Sequence, residues 1–275
     1  MPTNISATST LVLNWTDAGI WQSRLAADYM RMLDLSEGQP LLDLFSEEEN
    51  FMHTQTVSGR KFFIKGKVFA FLDELRAQGK DGQVLILAAG LAPLSLEIAS
   101  RFPSSLVFDV DRSNMREKQK LVGDRAANIR FCECDITDVA MLDEVLMREG
   151  FRQSRPTIAV LEGIIYYLTS DELGKLLGYL SQMNSQVVGD FGLKPELVNE
   201  TTREFPKNVF GKIQDQAKLD FITFYSDAEI KELFLRAGFS STHLANFQAI
   251  QKERTGGEFP FTSPDSSWIK AVFAE

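Results

Sequence analysis

The amino-acid sequence predicts an α/β fold, in which a mainly parallel β-sheet carries helices on both faces and an N-terminal helical cap. From Val84 onward, short apolar runs alternate with helical patterns, and this alternation is typical of β-α-β crossover units. Residues 1–79 differ, because their periodic segments are helical. The chain has 275 residues, of which 44% are hydrophobic, and this is enough for one large domain or for a domain with a cap.

The individual elements follow from the spacing of the apolar residues and from the residues that flank each run. The candidate strands are Val84–Leu87, Leu106–Val110, Ile129–Cys132, Thr157–Leu161, Gln186–Asp190, Thr242–Phe247 and Ser267–Phe273. The candidate helices are Pro93–Arg101, Asn114–Val122, Val139–Glu149, Asp171–Met183 and Asp227–Ala237. The last helix has clear ends, because Ser226 and Glu229 have capping-box spacing and Gly238 can end it.

The N-terminal part is predicted to be a separate unit. Residues 1–79 are expected to form a helical cap or lid, and residues 80–275 the ligand-binding domain. Within the cap, AGIWQSRLAADYMRML and KVFAFLDELRAQG are amphipathic helices, and LSEGQPLLDLFSEEENF between them is loop-like. Residues 193–224 are poorly periodic, and they form either a second lid or a surface connection. For both segments, ordinary structural packing is an equal alternative.

Charge and composition narrow the classes of function. The formal net charge of −9 opposes binding of nucleic acid, which depends on Lys and Arg contacts to phosphate. The basic stretch GRKFFIKGK (Gly59–Lys67) is interpreted as a solvated turn or as part of a small-anion site. The two cysteines, Cys132 and Cys134, favour a reduced intracellular protein. His53 and His243 are the remaining nitrogen ligands, and the sequence predicts no metal site.

Targeting and membrane signals are also not expected. The N-terminus, MPTNISATSTLVL, has neither a basic region nor a long apolar stretch, so we expect no signal peptide. The apolar runs are shorter than the roughly 20 residues that a membrane span needs. The expectation is a cytoplasmic protein without a membrane partner.

The turn after the first strand predicts the kind of ligand. In an open parallel sheet, ligands bind beyond the carboxyl ends of the strands, so the turn Ala88-Ala89-Gly90 should face the ligand. A dinucleotide site would place three glycines here, so that the backbone approaches a pyrophosphate, whereas this turn has only Gly90. Pro93 opens the following helix and donates no N–H. A ligand with an adenosine part but without phosphates therefore fits better.

Acidic residues at strand ends support an adenosine ligand. Asp109 and Asp111 fall on one face of the second strand, and Asp111, nearer its end, is expected to accept the ribose hydroxyl groups. The alternative is a solvent-exposed carboxylate. Asp135 follows the third strand, where it could accept from the adenine amine while Ile136 covers the ring. Glu162 ends the apolar fourth strand, and a charge there indicates the ligand-binding edge.

These motifs together resemble one family, the leucine carboxyl methyltransferases, including its bacterial polyketide O-methyltransferase-like members. The resemblance lies in VLILAAGLAP, VFDVDRSNMREKQKLV with its Lys118, CDITD, PTIAVLEGIIYYL, FYSDAEIKELFLRAGF and SSWIKAVFA, and it extends from about Arg60 to the C-terminus. It implies a Rossmann-like class I methyltransferase fold and S-adenosylmethionine as the cofactor. Ala88-Ala89-Gly90 and Ala92-Pro93-Leu94 depart from the family's Gly-Ala-Gly and Asp-Thr-Arg, so the substrate of any particular relative does not follow from the resemblance.

The resemblance also implies roles for single residues. The family has an arginine that binds the carboxylate of the cofactor, and Lys65 matches its position. Lysine keeps the charge but lacks the planar fork of arginine. Tyr166 and Tyr167 follow the fourth strand, where the acceptor is expected. They either orient the acceptor or contribute aromatic packing.

The expected activity is transfer of a methyl group to an oxygen atom of a small-molecule carboxylate or hydroxyl. A carboxylate is ionised near pH 7 and needs no base, whereas a phenol, with a pKa of about 10, needs one. His53 and His243 receive no catalytic role, and neither the acceptor nor the oligomeric state follows from the sequence. Two alternatives stay open at this point: a nicotinamide-dependent oxidoreductase and a protein that binds the cofactor without catalysis.

Overall fold

The computed structural model describes residues 7–204, 208–212 and 221–275, and its centre is a single β-sheet. The strands are β1 (Gln83–Leu87), β2 (Leu106–Asp111), β3 (Ile129–Glu133), β4 (Thr157–Leu161), β5 (Gln186–Gly192), β6 (Thr242–Ala245) and β7 (Ile269–Ala274). Their order is β3-β2-β1-β4-β5-β7-β6. Strands β1 to β5 pair in parallel, and β7 lies antiparallel between β5 and β6. The predicted mainly parallel sheet is confirmed.

Helices cover both faces of the sheet. They are α1 (Ala7–Asn14), α2 (Arg24–Met30), α3 (Gln39–Leu42), α4 (Glu47–Ala77), α5 (Leu94–Arg101), α6 (Met115–Val122), α7 (Val139–Arg148), α8 (Ser170–Gln182), α9 (Asp227–Ala237) and α10 (Phe247–Thr255). The five helices predicted after β1 begin and end within one residue of α5 to α9. Of the expected second lid at 193–224, residues 205–207 and 213–220 lie outside the described part of the chain.

Helix α4 differs most from the expectation. One 31-residue helix includes the end of the predicted loop and most of the helix that was predicted to start at Lys67. It begins after Ser46, which forms a capping box with Glu49. The basic stretch Gly59–Lys67 is therefore helical, and the prediction of a solvated turn was wrong. The apolar period of this helix is interrupted because Arg60 and Lys61, like Lys65, are buried beside partners from other elements. When helical periodicity is read from the sequence, these charged residues count as exposed positions, although their side chains are buried.

Two further boundaries are set by local hydrogen bonds. The predicted strand Thr242–Phe247 ends at Ala245, because Asn246 caps α10 by accepting from the backbone N–H of Ala249. The predicted helix over residues 18–33 is shorter in the structure. A 3₁₀ turn, Ala18–Ile20, precedes α2, and Ser23 caps that helix by accepting from the N–H of Ala26.

The buried apolar residues form clusters whose positions define the ligand-binding edge. One cluster lies on the face of the sheet under α7, α8 and α9, and a second lies on the other face under α2, α4 and α5. A third, aromatic cluster joins α1, α4, α10 and the segments that follow β4 and β5. Helices α1, α2 and α4 thus pack on the sheet and its adjoining segments through buried side chains. Within the described residues, no helix is both long and apolar enough to cross a bilayer.

Candidate functional site

A cleft opens at the carboxyl ends of β1 and β4, under the N-terminal helix α1. Its cavity volume is about 170 Å³, and it is open to solvent. Its lining comes from α1, from α4, from β1 and the turn after it, from the start of α5 and from the segment after β4: Ser9, Val12, Leu13, Arg60, Lys61, Ile86, Ala88, Ala89, Gly90, Leu91, Ala92, Leu94, Glu162, Gly163, Tyr166 and Tyr167.

The turn after β1 lies in this cleft, as the parallel sheet requires. Ala88 and Gly90 both have left-handed backbone conformations, with φ of +57° and +50°. Such a conformation costs a residue with a Cβ about 1–2 kcal/mol, so Ala88 stands where glycine is usual. The N–H of Ala89 donates to the carbonyl of Val110 at 3.0 Å, which ties the turn to β2. Pro93 precedes α5 as its N-cap and supplies no side-chain cap.

The acids of β2 have different surroundings. Asp111 is half-buried at the end of the strand, and its carboxylate accepts from the N–H groups of Gly90 (2.9 Å) and Ser113 (3.1 Å). It therefore lies directly beside a residue that lines the cleft. Asp109 is fully buried, and its Oδ2 lies 2.7 Å from the Lys118 amine. Asp109 thus forms an internal ion pair two residues below the sheet edge and does not line the cleft, so its expected contact with the cofactor stays a prediction.

Asp135 and Ile136 also lie outside the residues that line the cleft. Asp135 is exposed after β3 and accepts from the backbone N–H and the hydroxyl of Thr137, at 2.9 and 2.8 Å. Ile136 is buried in the cluster under α7 and α8. They remain at the carboxyl edge of the sheet, but β3 is its outer strand. The geometry therefore gives no direct contact between these residues and the cleft.

The side chain of Lys65 also has its partners away from the cleft. The structure directs its amine to the backbone carbonyl of Ile20, with the ring of Phe69 beside it. Lys65 is buried and does not line the cleft. The cations that do line it are one turn earlier on α4, at Arg60 and Lys61. The role that the resemblance implies for Lys65 therefore stays a prediction, and Arg60 and Lys61 are the cations at the cleft.

Arg60 and Lys61 form a buried cluster with two acids. Lys61 Nζ lies 2.5 Å from Glu162 Oε1, and Arg60 Nη2 lies 3.3 Å from the same oxygen. Arg60 Nη1 lies 3.4 Å from Asp190 Oδ2 and donates to the hydroxyl of Tyr166 at 3.2 Å. The two cations balance the two carboxylates. The Nε of Arg60 is buried without a hydrogen-bond partner among the described residues, so the guanidinium keeps one unused donor.

Burial controls the protonation of this cluster. Burial would raise the pKa of Glu162, but Lys61 and Arg60 outweigh it and hold this pKa below its usual value. Burial lowers the pKa of Lys61 against the effect of Glu162. The pKa of Asp190 is raised to about 6 by burial, which outweighs Arg60 and the Gly163 N–H. Near neutral pH both acids are therefore ionised, and Asp190 is the member closest to its titration.

The tyrosines after β4 continue the cleft toward the aromatic cluster. The ring centroids of Tyr166 and Tyr167 are 4.7 Å apart, and Phe210 lies 5.2 Å from Tyr166. Burial raises the pKa of Tyr167 to about 12 and that of Tyr166 well above its usual value, so both hydroxyls stay protonated. They can donate hydrogen bonds, but they do not supply a base near neutral pH.

Several site residues were missed by sequence reasoning. Ser9, Val12 and Leu13 reach the cleft from α1, for which no helix was predicted. Arg60 and Lys61 lie in the basic stretch Gly59–Lys67, for which part of a small-anion site was one of the two interpretations. That interpretation was the sequence signal that could have identified them. Asp190 ends an apolar run in the same way as Glu162, and that pattern could have identified it.

Comparison with known proteins agrees with this geometry. The family model described as leucine carboxyl methyltransferase matches residues 24–181, more than half of the chain. A Parafrankia sp. (strain EAN1pec) protein assigned as an S-adenosyl-L-methionine-dependent methyltransferase is 30% identical over 159 residues, 52% of this chain and 49% of that protein. The chain thus spans about half the length of this curated relative. The recognition of the family and of its cofactor, S-adenosylmethionine, is confirmed.

Solved structures show the same fold. A Thermobifida fusca protein assigned as a methyltransferase has a TM-score of 0.63 at 16% identity, covering 92% of this chain and 93% of its own. A DUF574 family protein of Streptomyces avermitilis has a TM-score of 0.60 at 14% identity, covering 98% and 97%. Both similarities cover more than nine-tenths of this chain, and at such identities they concern the fold alone.

Proposed function

Since the chain belongs to the leucine carboxyl methyltransferase family, we propose that it transfers a methyl group from S-adenosylmethionine to a carboxylate oxygen of a small-molecule acceptor. The observation that carries the proposal is the placing of Arg60 and Lys61 opposite Glu162 at the cleft, next to the turn at Gly90. The family supplies the cofactor, and the cleft supplies a site with matching charges.

The residues present fit this cofactor. Its amino-acid end carries both a carboxylate and an ammonium group, and the cleft is lined by the oppositely charged Arg60 and Glu162. Gly90 leaves room for the rest of the molecule, because a Cβ built there would have no atom within 4 Å. Asp111, beside Gly90, is the acid that would receive the ribose hydroxyls. The bound cofactor would supply a methyl group on a positively charged sulfur, ready for attack by a nucleophile.

The chemistry of the cleft favours a carboxylate over a phenol. A carboxylate, with an ordinary pKa of about 4, is already a nucleophile at neutral pH, whereas a phenol titrates near 10. Neutral Tyr166 and Tyr167 can donate to an acceptor oxygen and orient it. The lining residues that the structure describes include no histidine, and a carboxylate needs none. Catalysis would then rest on positioning and exclusion of water, which supply roughly 7–11 kcal/mol in well-oriented reactions.

The test is methyl transfer from labelled S-adenosylmethionine to matched acceptors that differ only in the oxygen group: an aromatic acid, the corresponding phenol and the corresponding alcohol. We expect a methyl ester from the acid and no ether from the other two. Ether formation alone would contradict the carboxylate assignment.

The two alternatives are addressed by calorimetry with S-adenosylhomocysteine and with NAD. We expect S-adenosylhomocysteine to bind and NAD not to bind, because a turn with a single glycine before Pro93 is poorly suited to a pyrophosphate. Tight NAD binding would restore the oxidoreductase. Binding of S-adenosylhomocysteine without transfer to any acceptor would favour a non-catalytic binding protein.

A further inference from the structure

Asp190 is a fully buried carboxylate on β5 that touches the cleft only through other residues. Its side chain has no solvent exposure, and Asp190 does not line the cleft. Its two oxygens have different partners. Oδ2 lies 3.4 Å from Arg60 Nη1, and Oδ1 accepts from the backbone N–H of Gly163 at 2.7 Å. One carboxylate therefore joins helix α4 to the segment that follows β4.

In the segment after β4, the backbone at Gly163 is closely surrounded by other residues. This residue has φ of +68°, and a Cβ added there would lie 3.3 Å from both Arg60 Nη1 and the Tyr166 hydroxyl. The chain thus passes close against the guanidinium, and the bond to Asp190 holds it in that position. Glu162 is the preceding residue, so the same bond also sets where the Glu162 carboxylate stands.

We propose that Asp190 is a positioning residue for the cofactor, which orients the Arg60 guanidinium and the Glu162–Gly163 backbone to receive the amino-acid end of S-adenosylmethionine. The inference rests on the proposed function. Arg60 has two carboxylate partners, and only Glu162 is exposed to the cleft. A guanidinium held from behind by Asp190 keeps its planar fork in one orientation, which is the advantage of arginine at a carboxylate site.

A carboxylate beside a buried arginine is also expected if Asp190 has only a structural role. The test must therefore separate a structural role of Asp190 from a positioning role. S-adenosylhomocysteine has the amino-acid end, whereas adenosine lacks it, and the ratio of their affinities reports on that end alone. The variant is Asp190→Asn, which keeps an oxygen for Gly163 and removes the charge. The matched control is Glu97→Gln, since Glu97 is likewise buried and accepts from a backbone N–H, that of Ser23 at 2.7 Å, away from the cleft.

Affinities for both ligands are measured by calorimetry near neutral pH, with folding followed by circular dichroism. For Asp190→Asn we expect S-adenosylhomocysteine affinity to fall about tenfold or more, the usual effect of losing a charged hydrogen bond, and adenosine affinity to stay unchanged. Glu97→Gln should leave the ratio of the two affinities as in the wild type. An unchanged ratio in Asp190→Asn would overturn the inference and leave the proposed function standing. Failure of the wild type to bind S-adenosylhomocysteine would overturn both.

A second measurement needs no variant. In the wild type, lowering the pH through about 6 protonates Asp190. Among the described residues, the charged or titratable groups around it are Arg60 and Lys61 of α4 and, after β4, Glu162, Tyr166 and Tyr167. The pKa of Glu162 is held lower, and the pKa values of the two tyrosines are higher. We expect the affinity for S-adenosylhomocysteine to fall in this range while that for adenosine does not. Parallel pH profiles for the two ligands would overturn the inference even if Asp190→Asn fails to fold.

Discussion

Lys61 and Lys65 form a natural pair for a test of the cation site. They lie one turn apart on α4 and are both buried, at 1% and 8% exposure. Lys61 reaches Glu162 at the cleft, whereas Lys65 binds the carbonyl of Ile20. We predict that Lys61→Met weakens the binding of S-adenosylhomocysteine and that Lys65→Met does not. Binding of adenosine should be unchanged in both variants, because adenosine has no carboxylate.

The magnitude follows from the charges at the cleft. Lys61 and Arg60 balance Glu162 and Asp190, so removing the Lys61 charge leaves one net negative charge beside the ligand carboxylate. Loss of one hydrogen bond to a charged group costs about 2 kcal/mol, which is roughly a thirtyfold loss of affinity. The variant also leaves Glu162 with one cation, and breaking a buried pair costs about 3–5 kcal/mol of stability. Binding is therefore measured by calorimetry below the unfolding temperature of each variant.

Two results would refute this reasoning. If Lys65→Met loses affinity and Lys61→Met does not, the cation of the site lies one turn further along α4 than the structure places it. If both variants lose affinity for adenosine as strongly as for S-adenosylhomocysteine, the substitutions disturb the cleft as a whole. A loss confined to Lys61→Met and to the ligand with a carboxylate is the outcome that the geometry requires.

Three further predictions concern single positions. Asp111→Ala should weaken the binding of S-adenosylhomocysteine and of adenosine alike, by about 1.5–3 kcal/mol in calorimetry, since the ribose is common to both; a loss for one ligand alone would assign Asp111 another role. Ala88→Gly should raise the free energy of unfolding in urea by about 0–1 kcal/mol, because φ is +57° there and glycine is unstrained; a clear decrease would show that the methyl group packs well. His53, 4.5 Å from Trp15, has its pKa lowered by burial to about 4 from an ordinary 6.5, so its contribution to stability is complete above pH 6.5 and is lost as the pH falls toward 4. Between pH 6.5 and pH 4, the free energy of unfolding measured in urea should therefore fall by up to about 3 kcal/mol less in His53→Phe than in the wild type. An equal fall in both proteins would mean that His53 titrates normally.

Much of the fold follows from local patterns. The strands β1 to β5 were predicted closely because each is a short apolar run between turn residues. Their parallel orientation follows from the helices between them. The same patterns placed Gly90, Glu162 and the two tyrosines at the carboxyl edge, where the cleft lies. Family recognition followed from these motifs, since they are contiguous stretches of sequence. Helix α4 was divided wrongly because its buried cations resemble a solvated segment.

Two pairs of residues show what local patterns leave undecided at the site. Lys61 and Lys65 lie on one face of a helix, and Asp109 and Asp111 lie on one face of a strand, so periodicity alone treats the members of each pair as equivalent. The members are about 6 Å apart along the helix and about 6.6 Å apart along the strand. That distance separates a residue at the cleft from one that pairs internally, as Asp109 does with Lys118.

Periodicity in the sequence gives the direction of a side chain, because it is a local property of helices and strands. The axial position of α4 against the sheet, and so the turn that meets Glu162, depends on how the cap packs on residues far along the chain. The same packing brings Asp190 of β5 against Arg60, which is 130 residues away in sequence. Such a pairing arises from three-dimensional packing, since no pattern within either segment encodes the distance between them.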